Sequence, residues 1–228
     1  MRLHLFASGV FLIACLAMAQ TWASPWVWPL LSSCLVLMLM ISRDIRDLGF
    51  FGMGVVLGGF IDLLQTGAGV TVYAISGPIL LFPGFVLLYW GLAGMALRHM
   101  TELFPKVRFH PADGGLFIGA ILLSLFGNAA PLTVAGLLLV ALAIHLAFLR
   151  RWADGLMALA LMMIGPLTES MLIHQGLYHF PSSGDGLIAI WLYPLYGCIG
   201  ASFRGIVPVL EAVLQRLRSG IRKPSVGS

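Results

Sequence analysis

Charge is scarce in this chain. Only 10% of its 228 residues are Asp, Glu, Lys or Arg, against 60% hydrophobic residues, and the mean hydropathy is +0.99. A soluble globular domain needs more charge than this to cover its surface, so that class is excluded. Cysteine is scarce too: Cys15, Cys34 and Cys198 sit in apolar stretches without CxxC spacing, which argues against a disulfide framework or a cysteine metal site. No HExxH, Walker loop, GxSxG or dinucleotide fingerprint occurs. Metal hydrolysis, phosphoryl transfer and serine-type acyl transfer therefore lack support, and no cofactor and no metal are expected. The net charge of +4 is scattered in short basic clusters between apolar runs, a pattern of topology signals and not of nucleic-acid binding.

What the chain does have is apolar runs long enough to cross a bilayer. They fall at about 4–20, 27–42, 48–65 and 78–97, then in a short fifth run ending near Gly127, and at about 132–149, 154–175 and 187–203. The thirteen Lys and Arg residues lie at Arg2, in 43–46, 98–108 and 150–151, at Arg204 and in the tail; the alternate loops 21–28, 66–77, 127–131 and 176–186 contain none. Positive charge stays cytoplasmic, so this predicts an all-α, polytopic transmembrane helical bundle of eight spans with both termini cytoplasmic. From Pro208 to Lys223 the pattern fits a basic amphipathic helix on the inner membrane surface. Arg2, an apolar core and Ala17-Met18-Ala19 also fit a cleaved secretory signal, which would leave seven spans. The first span is kept because a duplication needs it.

That duplication surfaces in GGFIDLLQTGAGVTVY (58–73) and GPLTESMLIHQGLYHF (165–180). An offset of 107 sets Asp47 against Asp154, Gly58 against Gly165, Asp62 against Glu169 and Gly69 against Gly176. At an offset of 106, WGLAGMALR (90–98) meets YGCIGASFR (196–204). Four spans per copy gives two parallel four-helix repeats, 1–113 and 114–207, about a pseudo-two-fold axis along the membrane normal, with 208–228 as the cytoplasmic tail. Gly54, Gly58 and Asp62 share a helix face, as do Gly165 and Glu169, so small residues let another helix approach and turn the acids toward protein. From the predicted span ends, Asp62 lies roughly 5 Å and Glu169 roughly 9 Å inside the outer surface. The third, fourth, seventh and eighth spans should form the core.

An acid in an apolar run is a functional candidate by default, with polar glue between helices as the structural alternative. Burial disfavours the charged form of a carboxyl group, and two carboxyls at one cavity separate into a proton donor and a carboxylate. That pair suits protonation of an alkene, stabilisation of the cation, then proton removal or water addition, on an isoprenoid or other membrane lipid. Asp62 and Glu169 are the candidate catalytic residues, with Gln65, Tyr73, Trp90, His174, Tyr178 and Trp191 as candidate substrate contacts. His174 is five residues after Glu169 and points away from it, so with Tyr178 and His179 it either lines the mouth of the site from the outer side or simply sits at the membrane interface, the reading that residue type favours. His145 reads as a core histidine and Asn128 as a turn residue. A proton-coupled carrier and a non-catalytic assembly partner are the alternative functions.

Gly58, Asp62-Leu63-Leu64, Gly69, Tyr73, Pro83 and Trp90 resemble the pattern of an uncharacterised family of bacterial inner-membrane proteins, over about Leu48 to Val140. That resemblance implies the bacterial inner membrane as the location. More loosely, Glu169, Gly176 and Tyr178 are similar to the acid, glycine and tyrosine of membrane-integral carotenoid-biosynthesis proteins and terpene cyclases, which implies paired acids acting on a polyene.

Overall fold

A computed structural model describes residues 2–42, 44–75, 81–184 and 187–221. Arg43, Pro78, Arg222 and Lys223, which carry parts of the sequence reading, lie outside the described residues. The described chain is helical, in the order α1 (Arg2–Thr21), α2 (Val27–Ser42), α3 (Ile45–Gly67), α4 (Phe85–Thr101), α5 (Pro111–Ser124), α6 (Pro131–Leu149), α7 (Trp152–His174) and α8 (Leu192–Ile221). A short antiparallel ladder joins β1 (Val72–Tyr73) to β2 (Tyr178–His179). Among the described residues, five helices, α1, α3, α6, α7 and α8, are long and apolar enough to cross a membrane. These helices fit a multi-pass membrane protein. Large apolar side chains such as Val56, Phe60, Leu132, Ile144, Phe148 and Met163 point outward, as a lipid-facing surface requires.

Local chemistry explains the helix ends. The Asp44 side chain caps α3 by accepting from the Arg46 amide at 2.9 Å. His110 and Asp113 cap each other's backbone around Pro111 at the start of α5. Helices α3 and α7 stop in the same way. Gly69 (φ +69°) and Gly176 (φ +77°) take the left-handed conformation, and the amides one residue later bond back to Gln65 and Leu172 at 2.8 and 3.0 Å. This Schellman turn needs glycine, and it sends each chain back over its helix so that β1 and β2 meet.

The bundle has two chemically distinct ends. The end carrying β1 and β2 is called the hairpin end; the opposite end, which holds Arg98 and Arg204, is the arginine end. Trp22 after α1 bonds the Gln175 carbonyl at 2.9 Å at the hairpin end, and His4 near the start of α1 touches His99 at 3.0 Å at the arginine end. The most intimate helix pairs are α3 with α4 and α7 with α8, and α4 also touches α8. Packing of α1 against α2 and α4 has its counterpart in α5 against α6 and α8.

The largest boundary differences from the sequence reading fall in α4 and in α8, which starts at Leu192 and not near Leu187. Helix α4 starts at Phe85, after Pro83 and Gly84, because proline disfavours helix in the residue before it. Helix α8 does not end at Phe203 but continues through Pro208 to Ile221. Its apolar face goes on packing there: Leu210 and Leu214 join Phe50, Phe203 and Val207 in a small cluster at the arginine end, and Leu214 lies on Gly49.

Glycine sets the helix separations. A Cβ at Gly94 would lie 2.5 Å from the Phe50 carbonyl oxygen, and one at Gly200 2.6 Å from that of Met157. Backbone cannot step aside as a side chain can. We expect Gly94→Ala and Gly200→Ala each to destabilise the detergent-solubilised protein by about 1–3 kcal/mol, seen as a lower melting temperature. Gly136→Ala, where nothing lies within 4 Å, should leave melting unchanged or raise it, since alanine is the better helix former.

Candidate functional site

Asp62 and Glu169 sit at matching depths. Each lies five residues before the last residue of its helix, α3 or α7, which places both roughly 8 Å from the hairpin end. The expected difference in depth disappears because α3 runs to Gly67. Both acids are buried, at 5% and 8% exposure.

Each carboxylate is met by an aromatic donor from the neighbouring helix. The Trp90 indole N–H donates to Asp62, and the Tyr196 hydroxyl donates to Glu169. The glycine one turn earlier makes this contact. A Cβ at Gly58 would overlap the Trp90 ring, and one at Gly165 the Tyr196 ring. The ring lies on the glycine, and its polar atom reaches the acid one helical turn further along.

Both acids border one cavity of about 110 Å³. A single water needs roughly 10–15 Å³ on this scale, so the space is far larger than one water site. Polar groups in its wall gather at the hairpin end: Asp62, Gln65, Thr71, Tyr73, Ser124 and Glu169. Tyr73 also reaches Asp62 with its hydroxyl, and its ring lies 5.2 Å from that of Tyr178 across the β1–β2 ladder. The ladder thereby lids the cavity.

Most candidate contact residues reach this wall. Gln65, Tyr73, Trp90 and Tyr178 line it, whereas His174 is exposed at the end of α7 and Trp191 is buried beside it, on Gly127 and Phe180. Sequence reasoning passed over Tyr89 and Tyr196. Tyr196 was within reach, since the 106-residue offset sets it against Trp90. Gln65 and Asn128 tie the hairpin end together: Gln65 donates to Ser124 at 3.0 Å, and Asn128 donates to the Gly69 carbonyl at 2.7 Å while its own carbonyl accepts from the Ser182 amide at 3.3 Å.

The arginine end handles charge differently. Arg98 donates to Asp47, and Arg204 donates to Asp154, all four side chains being buried. These arginines, read from sequence as topology signals, are internal counterions. Around the first pair, His99 is 3.0 Å from Asp47, and Arg98 reaches Asp44 at 2.8 Å. Burial pushes the Asp44 carboxyl up, but its bonds to Arg46 and the nearby Arg98 outweigh this and hold it well below the usual range. Around the second pair, Asp113, His145 and Asp154 each bring one ligand atom within 4.8 Å of the others. That spacing would admit a metal ion. However, Arg151 lies 3.2 Å from Asp113 and Arg204 bonds Asp154, so both carboxylates already have positive partners. His145 is buried, with its Nε2 3.4 Å from Asp113.

No family model, curated protein or solved structure matches this chain, so the geometry carries the functional reading by itself.

Removing one partner of a buried pair strands the other charge. We expect Arg204→Met to cost about 3–5 kcal/mol, read as lost monodisperse yield and a lower melting temperature. The double variant Asp154→Asn/Arg204→Met should recover part of that loss.

Proposed function

We propose that this protein is an intramembrane enzyme that uses Asp62 and Glu169 for acid-base chemistry on an isoprenoid or other unsaturated lipid. One observation carries the reading: the two acids border the same cavity, each held by an aromatic donor, with further aromatic rings in its wall. Both acids have a phenol beside them, Tyr73 at Asp62 and Tyr196 at Glu169, and a phenol donates or accepts. Asp62 has in addition the Trp90 indole, which can only donate and so favours an accepting oxygen there. On that difference we assign Glu169 as the proton donor and Asp62 as the acceptor.

The step balances without redox chemistry. A substrate double bond takes the Glu169 proton to form a C–H bond, which leaves a cation on the adjacent carbon. The rings of Tyr73, Tyr89, Trp90 and Tyr196 border the space where that cation forms and favour it through their negative faces. A proton lost to Asp62 from a neighbouring carbon restores the double bond; attack by a second double bond beforehand gives a ring, and capture by water gives an alcohol.

We also infer two parallel four-helix units. The recurrence of aromatic donor on acid, arginine on aspartate and Schellman glycine, at offsets of 106 and 107, supports it. Eight spans in a bacterial inner membrane, with both termini cytoplasmic, complete the reading. It is supported by the basic residues that crowd the arginine end while the hairpin-end connections carry none.

Purified protein in nanodiscs, given polyprenyl and polyene lipids in D₂O, should yield an isomer, ring or hydrate carrying one deuterium from the exchanged acid. Asp62→Asn and Glu169→Gln should lower the rate by about 10²–10⁴-fold, and Trp90→Phe or Tyr196→Phe by about tenfold, the worth of one hydrogen bond. Unlabelled product, or full activity in both acid variants, would sink the proposal. Proton-coupled uptake into liposomes without product would move it to a carrier.

A further inference from the structure

We propose that the cavity receives a single-chain amphiphile from the side of the bundle, between α3 and α5. Its apolar chain lies toward the arginine end, and its polar or unsaturated end lies between Asp62 and Glu169. The proposal rests on the cavity being the substrate site, but its test does not depend on turnover.

The first argument is length. Residues bordering the cavity run from Phe50 to Gln65 on α3 and from Leu192 to Leu210 on α8. At 1.5 Å per residue these stretches cover roughly 22 and 27 Å, most of the hydrocarbon thickness. A compact metabolite would leave most of such a slot unfilled, whereas an extended chain fills it.

The second argument is the gradient of polarity. All the carboxyl, amide and hydroxyl groups in the wall belong to its hairpin-end part and its middle; toward the arginine end the wall is Phe50, Met53, Leu97, Phe203 and Leu210. Apolar surface favours apolar ligand by area, and an unpaired polar group there would lose its water without replacement. Only one orientation of an amphiphile satisfies both halves.

The third argument is which wall is open. Val86 and Tyr89 of α4, Leu172 of α7 and Leu192 and Leu195 of α8 are buried. On the opposite side, Leu57 is 41% exposed although it borders the cavity, and Met53, Ile61, Phe117 and Ile121 are half-buried. Those residues belong to α3 and α5, which the Gln65–Ser124 bond joins at the hairpin end. Below that bond the gap faces the lipid side of the bundle.

The experiment uses a long-chain fatty alcohol carrying a photoreactive diazirine, either at the chain terminus or next to the hydroxyl, on protein in liposomes, with labelled peptides identified by mass spectrometry. The terminal probe should mark Phe50, Met53, Phe203 or Leu210, and the hydroxyl-side probe Gln65, Tyr73 or Trp90; excess unlabelled alcohol should abolish both. Unlabelled polyprenol competing more strongly than the saturated alcohol would identify an isoprenoid ligand. The reverse pattern overturns the orientation, and uncompeted labelling spread over the outward faces of α2 and α6 overturns the site. Leu57→Trp and Ile121→Trp, at a partly exposed surface, should reduce cavity labelling; unchanged labelling in both overturns lateral access. Retained labelling in a wild type without turnover defeats the acid-base reading alone.

Discussion

The site depends on two missing side chains. At Gly58 and Gly165 the flat ring of Trp90 or Tyr196 lies directly on the helix backbone, where any Cβ would overlap it. From that seat the ring's one polar atom reaches a carboxylate one turn away. The same close approach continues toward the arginine end, where Gly54 and Gly94 bring the α3 and α4 backbones together and Gly200 does so for α7 and α8. Lipid offers no hydrophobic drive for helices to associate, so van der Waals contact at small residues and interhelical hydrogen bonds must supply it. Here one surface does both.

Two ways of burying acid follow from that packing. At the arginine end, Asp47 and Asp154 are matched by guanidinium groups, which makes them fixed and chemically silent structural pairs. Toward the hairpin end, Asp62 and Glu169 are met by an indole and a phenol, which donate a hydrogen bond but no charge. A carboxyl group so held keeps the option of exchanging a proton, and both open onto space. The contrast between acids of the same helices, one pair neutralised and one not, is the strongest reason to assign chemistry to the second.

Much of this was legible because its period is short. Glycine and acid four residues apart share a face by helical geometry, and the 107-residue offset that sets Asp62 against Glu169 also sets Gly69 against Gly176, the residues of the two left-handed turns. Arg98 and Arg204 were misjudged for a physical reason: an arginine near a helix end looks like an interfacial charge until the aspartate that pairs with it, about fifty residues earlier, is known to lie alongside. The unbroken course of α8 was hidden by Pro208, which ends most helices; here Leu210 and Leu214 still find an apolar surface on α3. His174 and Trp191 share the hairpin end with Tyr178, but the His174 side chain is exposed and that of Trp191 packs on Gly127 and Phe180.

The two halves differ most where the proposed chemistry is not. Beside Asp47 stand His99 and, behind it, His4; at the position matching His99 the second half has Gly205, and the Asp113 carboxylate from α5 fills the space its side chain would need. Asp47 thus has histidines on its own flank, whereas Asp154 has Arg151 at 3.7 Å and, across from it, Asp113 with His145 at 3.4 Å. Around the cavity the differences are smaller but directed: indole against phenol, Asp against Glu. Asp62 meets an indole and the Tyr73 phenol, and Glu169 meets the Tyr196 phenol, so two acids alike in depth and burial stand in unlike surroundings. Under the proposed chemistry, that inequality is what lets one of them release a proton while the other accepts it.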